Sequence, residues 1–345
     1  MIRIDEIYYN VFFQKLKHFE QTGLKWFDPF GSTDLNDLVS IPATIHARHF
    51  LFYDQEPLHR HHIENFFKQY TNIYKGEQIL VHSEYASEDV EWLCNTYGFQ
   101  DYHYFFHGWA ALDWYRGYNR TFLGTDPLDR NIQHTFLCPN NIIGGERKHR
   151  CELFSELGKR NLIKNNLVSF PEYCPWEKVS ALQLFEQLNL QLPDVTLPLK
   201  FDDKNDYQHE SHCIDLWEQG NNSLLQVVTE TVYTDNKVHL TEKIFKPIVM
   251  QQPFILVGPQ NSLNYLKRYG FKTFETVWDE SYDIAPASQR ITRVGNLLEE
   301  LEHSNCREWL NEQCAPIVEH NYNWFYNGGF EQVLWDELTA MMEQW

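Results

Sequence analysis

Thr241-Glu242-Lys243 places a helix-capping hydroxyl, a carboxylate and an ammonium at consecutive positions. The triplet follows a polar loop, Thr234–Lys237, and opens a helical pattern beyond the apolar run Leu224–Thr229, LLQVVT. In doubly wound α/β folds, ligands bind in the crevice past the carboxyl ends of the strands. A helix start at that place offers free N–H groups and a positive dipole to a diphosphate. Lys243 adds a formal charge, and Glu242 can accept hydrogen bonds from sugar hydroxyls. The plainer alternative is an ordinary N-cap followed by two solvated charges. A second cationic group, Arg147, Lys148 and Arg150, follows Asn140-Asn141 and the pair Gly144-Gly145. It reads either as a solvated helix face or as further positive charge for the same diphosphate.

Other candidates carry less chemistry. No Asp-x-Asp triplet of the kind metal-dependent sugar transfer uses occurs in the chain, so no metal is expected. His59, His61 and His62 lie too close in sequence to share a helix face, and read as solvated or core residues. The acidic loop Asp279–Asp283 reads as solvent-facing, and the aromatic runs Tyr102–Trp114 and Tyr322–Phe325 as mainly core. The seven cysteines are scattered and lack a C-x-x-C pair, which fits reduced thiols rather than a disulfide or zinc framework.

The elements that must position these residues alternate along the chain. Gln78–His82 (QILVH), Tyr102–Phe106, His134–Cys138 (HTFLC), Leu167–Phe170, Leu224–Thr229, Pro253–Val257 (PFILV) and Phe271–Phe274 read as strands, as does the end of Ala43–Tyr53. Between them His61–Tyr70, Glu84–Tyr97, Arg147–Lys159, Thr241–Met250 and Ser262–Tyr269 read as helices, the last closed by Gly270. Pro247 should kink the Thr241–Met250 helix. Strands alternating with helices argue for parallel sheets with helices on their faces. The span Trp176–Asp215 is irregular and punctuated by proline, and the chain ends in a helical run, Phe330–Trp345.

With 345 residues, 43% hydrophobic and 16% aromatic, the chain has material for two cores. No uncharged apolar stretch of about 18 residues predicts a membrane span, and the charged N-terminus does not resemble a signal peptide. Both point to the cytoplasm. A formal charge of −19 opposes non-specific nucleic-acid binding over most of the surface, although a local basic cleft remains compatible with it.

Several of these segments resemble, in order, the α1,3-fucosyltransferase family. Ser223–Ile244, SLLQVVTETVYTDNKVHLTEKI, is similar to that family's strand bearing F-x-E-N, a short loop and V-T-E-K. Glu230 then stands at the first glutamate and Thr241-Glu242-Lys243 at the second motif. PFILVGP resembles its P-V-x-x-G-x-P strand and turn. Asn140-Asn141 followed by Arg150, Phe154 and Leu157 resembles its S-N-x…R-x-x-F/Y-x-x-x-L helix. FLFYDQEP resembles its apolar strand ending in G-E-N, which puts Glu56 at that glutamate. The chain departs from the pattern where Asp54-Gln55 replace the glycine and where Leu224–Glu230 lacks the Phe and Asn. The T-E-K-x-F-K-P-I segment is also similar to uncharacterised phage and environmental sequences.

The resemblance implies an α/β protein of two facing Rossmann-like domains, the GT-B architecture. Residues 1–130 would form the acceptor side, 131–327 the nucleotide-sugar-binding domain, and 328–345 a C-terminal helix packing back on the first. It implies an inverting, metal-independent glycosyltransferase without a cofactor, moving sugar from a nucleotide-diphosphate sugar to a carbohydrate or glycolipid hydroxyl. Glu56 would be the general base. Asn140, Arg147, Arg150, Glu230, Thr241, Glu242 and Lys243 would hold the donor, with Lys243 and Arg150 stabilising the leaving diphosphate. Two alternatives stand beside it: a phage-type transferase acting on hydroxymethylated DNA bases, and a non-catalytic nucleotide or sugar sensor.

Overall fold

The computed structural model describes residues 23–26, 39–40, 49–53, 57–73, 77–118, 127–175, 177–201 and 213–343. They fall into two units. The first takes the described residues up to Trp114, together with Asn236–His239 and those from Glu331 onward; the second takes Tyr115–Asp235 and Leu240–Phe330.

Unit 1 contains a five-stranded sheet: β1 (Gly23–Trp26), β2 (Val39–Ser40), β3 (His49–Tyr53), β4 (Gln78–His82) and β5 (Phe99–His103). Its order is β2-β1-β3-β4-β5, parallel except for the edge pair β1–β2. Every residue of QILVH is buried, as a parallel strand covered on both faces requires. The Glu88–Tyr97 helix begins where the Ser87 hydroxyl accepts from the Val90 N–H. It ends at Gly98, whose left-handed φ of 74° lets its N–H reach the Cys94 carbonyl. That stop fixes the start of β5 at Phe99, so the expected strand Tyr102–Phe106 lies three residues earlier and Phe106 opens a helix to Tyr118.

Unit 2 contains β6 (His134–Cys138), β7 (Leu167–Val168), a small hairpin of β8 (Tyr173–Cys174) and β9 (Val179–Ser180), then β10 (Ser223–Thr229) and β11 (Phe254–Val257). The main sheet runs β11-β10-β6-β7 and all its pairs are parallel. Both units are thus α/β with largely parallel sheets. Within the stretch that looked irregular, Ser180 and Gln183 form a reciprocal capping box that starts the Ala181–Gln187 helix. The Ala287–His303 helix packs on the His149–Lys159 helix, and Arg307–Tyr326 packs on Phe245–Val249. Among the described residues no helix is long and apolar enough to cross a membrane.

Two expectations fail for local reasons. Thr241–Met250 is not one kinked helix but a 3₁₀ turn, Glu242–Ile244, followed by the five-residue helix Phe245–Val249. Pro247 lies in the first turn of that helix, where no intrahelical partner for an N–H is missing. Phe271–Phe274 is not a strand. Its backbone is held by side chains instead: the Asn321 amide bonds both the N–H and the carbonyl of Lys272 at 2.8 and 2.9 Å, and Glu280 accepts the Phe274 N–H at 2.7 Å.

Candidate functional site

In unit 2 the chain leaves β6 through the His149–Lys159 helix toward β7, while β10 lies on the other side of β6 and continues outward to β11. The strand order therefore reverses between β6 and β10. A reversal of this kind leaves a crevice at the carboxyl ends, the usual ligand position in open α/β sheets. Asn140 follows β6 there, Thr229 ends β10, and Glu230 follows it.

The sequence-predicted residues of unit 2 converge on this edge, with different tasks. The Thr229 hydroxyl donates to the Asn140 amide oxygen at 3.0 Å, tying the two strand ends together. Arg150 is buried, 5% exposed. Its guanidinium donates to the carbonyls of Ile142 and Thr229 at 2.8 Å each and to that of Glu230 at 3.4 Å. Burial first, then the Arg147 charge, lowers its pKa to about 10, so it remains a cation at neutral pH. Arg150 is thus a clamp on the backbone around the crevice rather than an open phosphate ligand. Arg147, half-buried at the end of a short 3₁₀ turn, adds to the positive potential felt by Arg150.

Glu230 has no exposed surface. One carboxylate oxygen accepts the Thr241 hydroxyl at 2.6 Å and the Thr241 N–H at 3.2 Å; the other, Oε1, has no hydrogen-bond partner among the described residues. Burial raises its pKa, against the opposing charge of Lys243 and the Thr241 hydrogen bonds. The Thr241 hydroxyl in turn accepts from the Lys243 N–H at 3.4 Å. Two of the N–H groups expected to be free at this helix start, those of Thr241 and Lys243, are therefore already taken by Glu230 and Thr241. What reaches solvent is the Lys243 ammonium, on a side chain 31% exposed. Its Nζ lies 3.1 Å from the Thr241 hydroxyl, 3.2 Å from Glu242 and 3.4 Å from the Thr231 hydroxyl. Gly144 and Gly145 approach their own chain: a Cβ on Gly144 would meet the Cys174 sulfur at 2.5 Å, and the Gly145 N–H donates to Glu177. The Cys138 thiol near Asn140 is pushed by burial up to about 12, which excludes it as a thiolate nucleophile at neutral pH.

The Tyr233 ring carries two contacts that the sequence alone does not single out. The His149 imidazole stacks on the Tyr233 ring at 4.7 Å and 8°, and the Arg290 guanidinium lies 4.9 Å from the same ring. Burial, then the Arg150 charge, pushes His149 down to about 3 from 6.5. The unfolded chain takes up a proton on this residue before the folded one does. Its contribution to stability is therefore fully present above pH 6.5 and is lost as the pH falls toward 3. His149→Phe keeps a ring on Tyr233 and removes the titration. The wild type should lose about 2–3 kcal/mol between pH 6.5 and 4.5 that the variant does not. Urea unfolding at the two pH values checks this; equal losses in both proteins would reject it.

In unit 1, β3 ends at Tyr53, and Glu56, with Asp54 and Gln55, lies outside the described residues. The described carboxyl edge carries polar groups the sequence reading passed over. His82 ends β4 and pairs in register with His103 at the end of β5, their rings 5.9 Å apart. His107 and His239 meet edge to face at 5.2 Å. The signal was legible in H-S-E directly after the buried strand QILV. Lys237 enters this unit as a buried cation, 2.6 Å from Asp89 and 3.1 Å from Glu84, and also donates to the Leu58 carbonyl. Around it the Tyr85 and Val238 backbones bond each other in both directions, and Glu88 N–H donates to the Asn236 carbonyl.

No family model, curated protein or solved structure matches the chain.

Proposed function

We propose that the protein is a glycosyltransferase of the two-Rossmann-domain type that transfers sugar from a nucleotide-diphosphate donor to a hydroxyl acceptor with inversion and without a metal. The observation that carries this reading is the reversal edge of unit 2, where the Lys243 ammonium stands beside buried Glu230 and Glu242 and within reach of solvent. A cation fixed by three oxygens is suited to the charge that grows on a leaving nucleoside diphosphate. Glu242 is the acceptor for hydroxyls of the sugar or ribose, and Glu230, enclosed behind it, holds Thr241 in place. In the proposed step the acceptor oxygen attacks the anomeric carbon, the bond to the diphosphate breaks, and the acceptor proton passes to the carboxylate of Glu56. Arg150 and Asn140 hold the backbone that frames the donor, and Arg147 supplies background potential.

A thermal-shift screen with UDP-, GDP- and dTDP-sugars, and with CMP-sugars as the monophosphate control, tests the donor assignment. One nucleotide class should stabilise the fold, by about 2.7 kcal/mol at a ligand concentration 100 times Kd, which is several degrees in Tm. No shift from any class would overturn the proposal. Glu56→Ala should abolish transfer and keep the shift; if transfer survives, Glu56 is not the base. A carbohydrate or glycolipid acceptor is favoured over hydroxymethylated DNA because the −19 charge opposes a polyanion, and transfer to hydroxymethylated duplex alone would reverse that choice.

A further inference from the structure

The helix Arg307–Tyr326 carries a stripe of residues that the donor crevice does not use. Pro316, Glu319, His320, Asn323, Trp324 and Asn327 repeat at the three- and four-residue spacing of one helix face and line an open groove of about 500 Å³. That volume is within the range of about 300–1,000 Å³ typical of small-molecule sites. Trp324 is rigidly mounted: its indole N–H donates to the Tyr269 carbonyl at 2.7 Å. Its ring lies so close to Gly270 and Gly329 that a Cβ on either would come within 2.5 or 2.4 Å of it. One turn earlier His320 holds its ring parallel, 7° from the indole plane and 6.1 Å away, and bonds the Gly270 carbonyl. Beside this platform the exposed Asn323 and Asn327 amides make one mutual bond of 3.4 Å, and exposed Glu319 has no ion-pair or hydrogen-bond partner among the described residues.

We propose that this groove binds a neutral oligosaccharide. A sugar ring presents an apolar C–H face that packs on an indole, and its adjacent hydroxyls match a row of planar amides and a carboxylate, each able to form two hydrogen bonds. The lining contains no lysine or arginine and does contain a carboxylate, in a chain of net charge −19. Phosphorylated, sulfated and sialylated ligands therefore meet repulsion here, which separates the groove chemically from the cationic donor edge. The site does not depend on transferase activity.

The test is a printed array of neutral hexose and N-acetylhexosamine oligosaccharides, with sialylated and sulfated glycans as the anionic arm, probed with the full chain. Retained neutral glycans are then titrated by calorimetry. Neutral glycans should be retained and anionic ones not. Trp324→Ala should weaken binding about tenfold, the equivalent of one lost ring contact. Asn323→Ala/Asn327→Ala, at exposed positions that leave the fold intact, should weaken it about fivefold. The nucleotide-sugar thermal shift should stay unchanged in both variants. If Trp324→Ala fails to fold, the asparagine pair decides alone. The proposal is overturned if no neutral glycan is retained, if binding survives the asparagine pair unchanged, or if binding is lost in Lys243→Ala instead.

Discussion

Lys243→Ala should weaken binding of the stabilising nucleotide sugar by about tenfold to a hundredfold, since a charge-assisted hydrogen bond contributes about 1.5–3 kcal/mol. At the reversal edge in unit 2 the Lys243 side chain is partly exposed while its ammonium is held by three oxygens. Arg150 is committed to three backbone carbonyls. The two variants should therefore separate. Lys243→Ala should lose affinity and leave the ligand-free fold within about 1 kcal/mol of wild type, because its ion pair with Glu242 is partly exposed on the lysine side. Arg150→Ala should unfold more readily with or without ligand, because it removes the buried guanidinium that ties the carbonyls of Ile142 and Thr229 together. Affinity by calorimetry and stability by urea titration read the two effects apart. Equal affinity of Lys243→Ala and wild type would remove Lys243 from the donor site.

Lys237→Met should destabilise unit 1 by about 3–5 kcal/mol, the usual consequence of removing one partner from a buried ion pair. The Lys237 side chain is 1% exposed, between Glu84 at 2% and Asp89 at 10%. Burial raises the Glu84 carboxyl and the Lys237 charge pulls it back down, so without the lysine Glu84 should take up a proton at higher pH. Burial also raises Asp89, but the hydrogen bonds and charges of Lys237 and Arg60 outweigh it, and the net shift is downward. Asp89 keeps Arg60 at 2.8 Å after the substitution, whereas among the described residues Glu84 keeps neutral donors, Leu58 N–H and the Ser87 hydroxyl. The double variant Lys237→Met/Glu84→Gln should recover part of the loss by removing the stranded charge. Urea unfolding of the four proteins in the cycle measures the coupling. A single-variant loss below about 1 kcal/mol would mean that the pair is not held in solution. The segment Lys237 secures runs directly into Leu240 and Thr241, so the same variant should also change access of amide protons in residues 236–239 to exchange.

Much of the framework was legible from composition and local rules. QILVH, HTFLC, LLQVVT and FILV are short runs dominated by apolar residues, and parallel strands buried on both faces need that composition whatever surrounds them. Ser87 and Gly98 mark the ends of the Glu88–Tyr97 helix through bonds to residues three or four positions away. The convergence of Asn140, Arg150, Glu230 and Thr241–Lys243 on one sheet edge was expected from motif order. The strand order β11-β10-β6-β7, which makes that edge a reversal point, is where pairing in space decides.

The fate of the individual charges was not legible. Arg150 finds its carbonyl partners 79 and 80 positions away, and Lys237 finds Glu84 153 positions away. A lysine or arginine in sequence reads as a solvated charge; only distant acceptors make its burial possible. Phe271–Phe274 shows the reverse case, strand-like by composition yet held by the side chains of Asn321 and Glu280. Local sequence determined where strands and helices begin and end in most of this chain, because those choices depend on neighbours a few residues apart. Tertiary structure decided which polar groups face solvent and which are enclosed, because a buried charge is tolerated only where the whole fold brings it a partner. At the candidate site that distinction separates Lys243, whose side chain is partly exposed, from Arg150, which holds the frame.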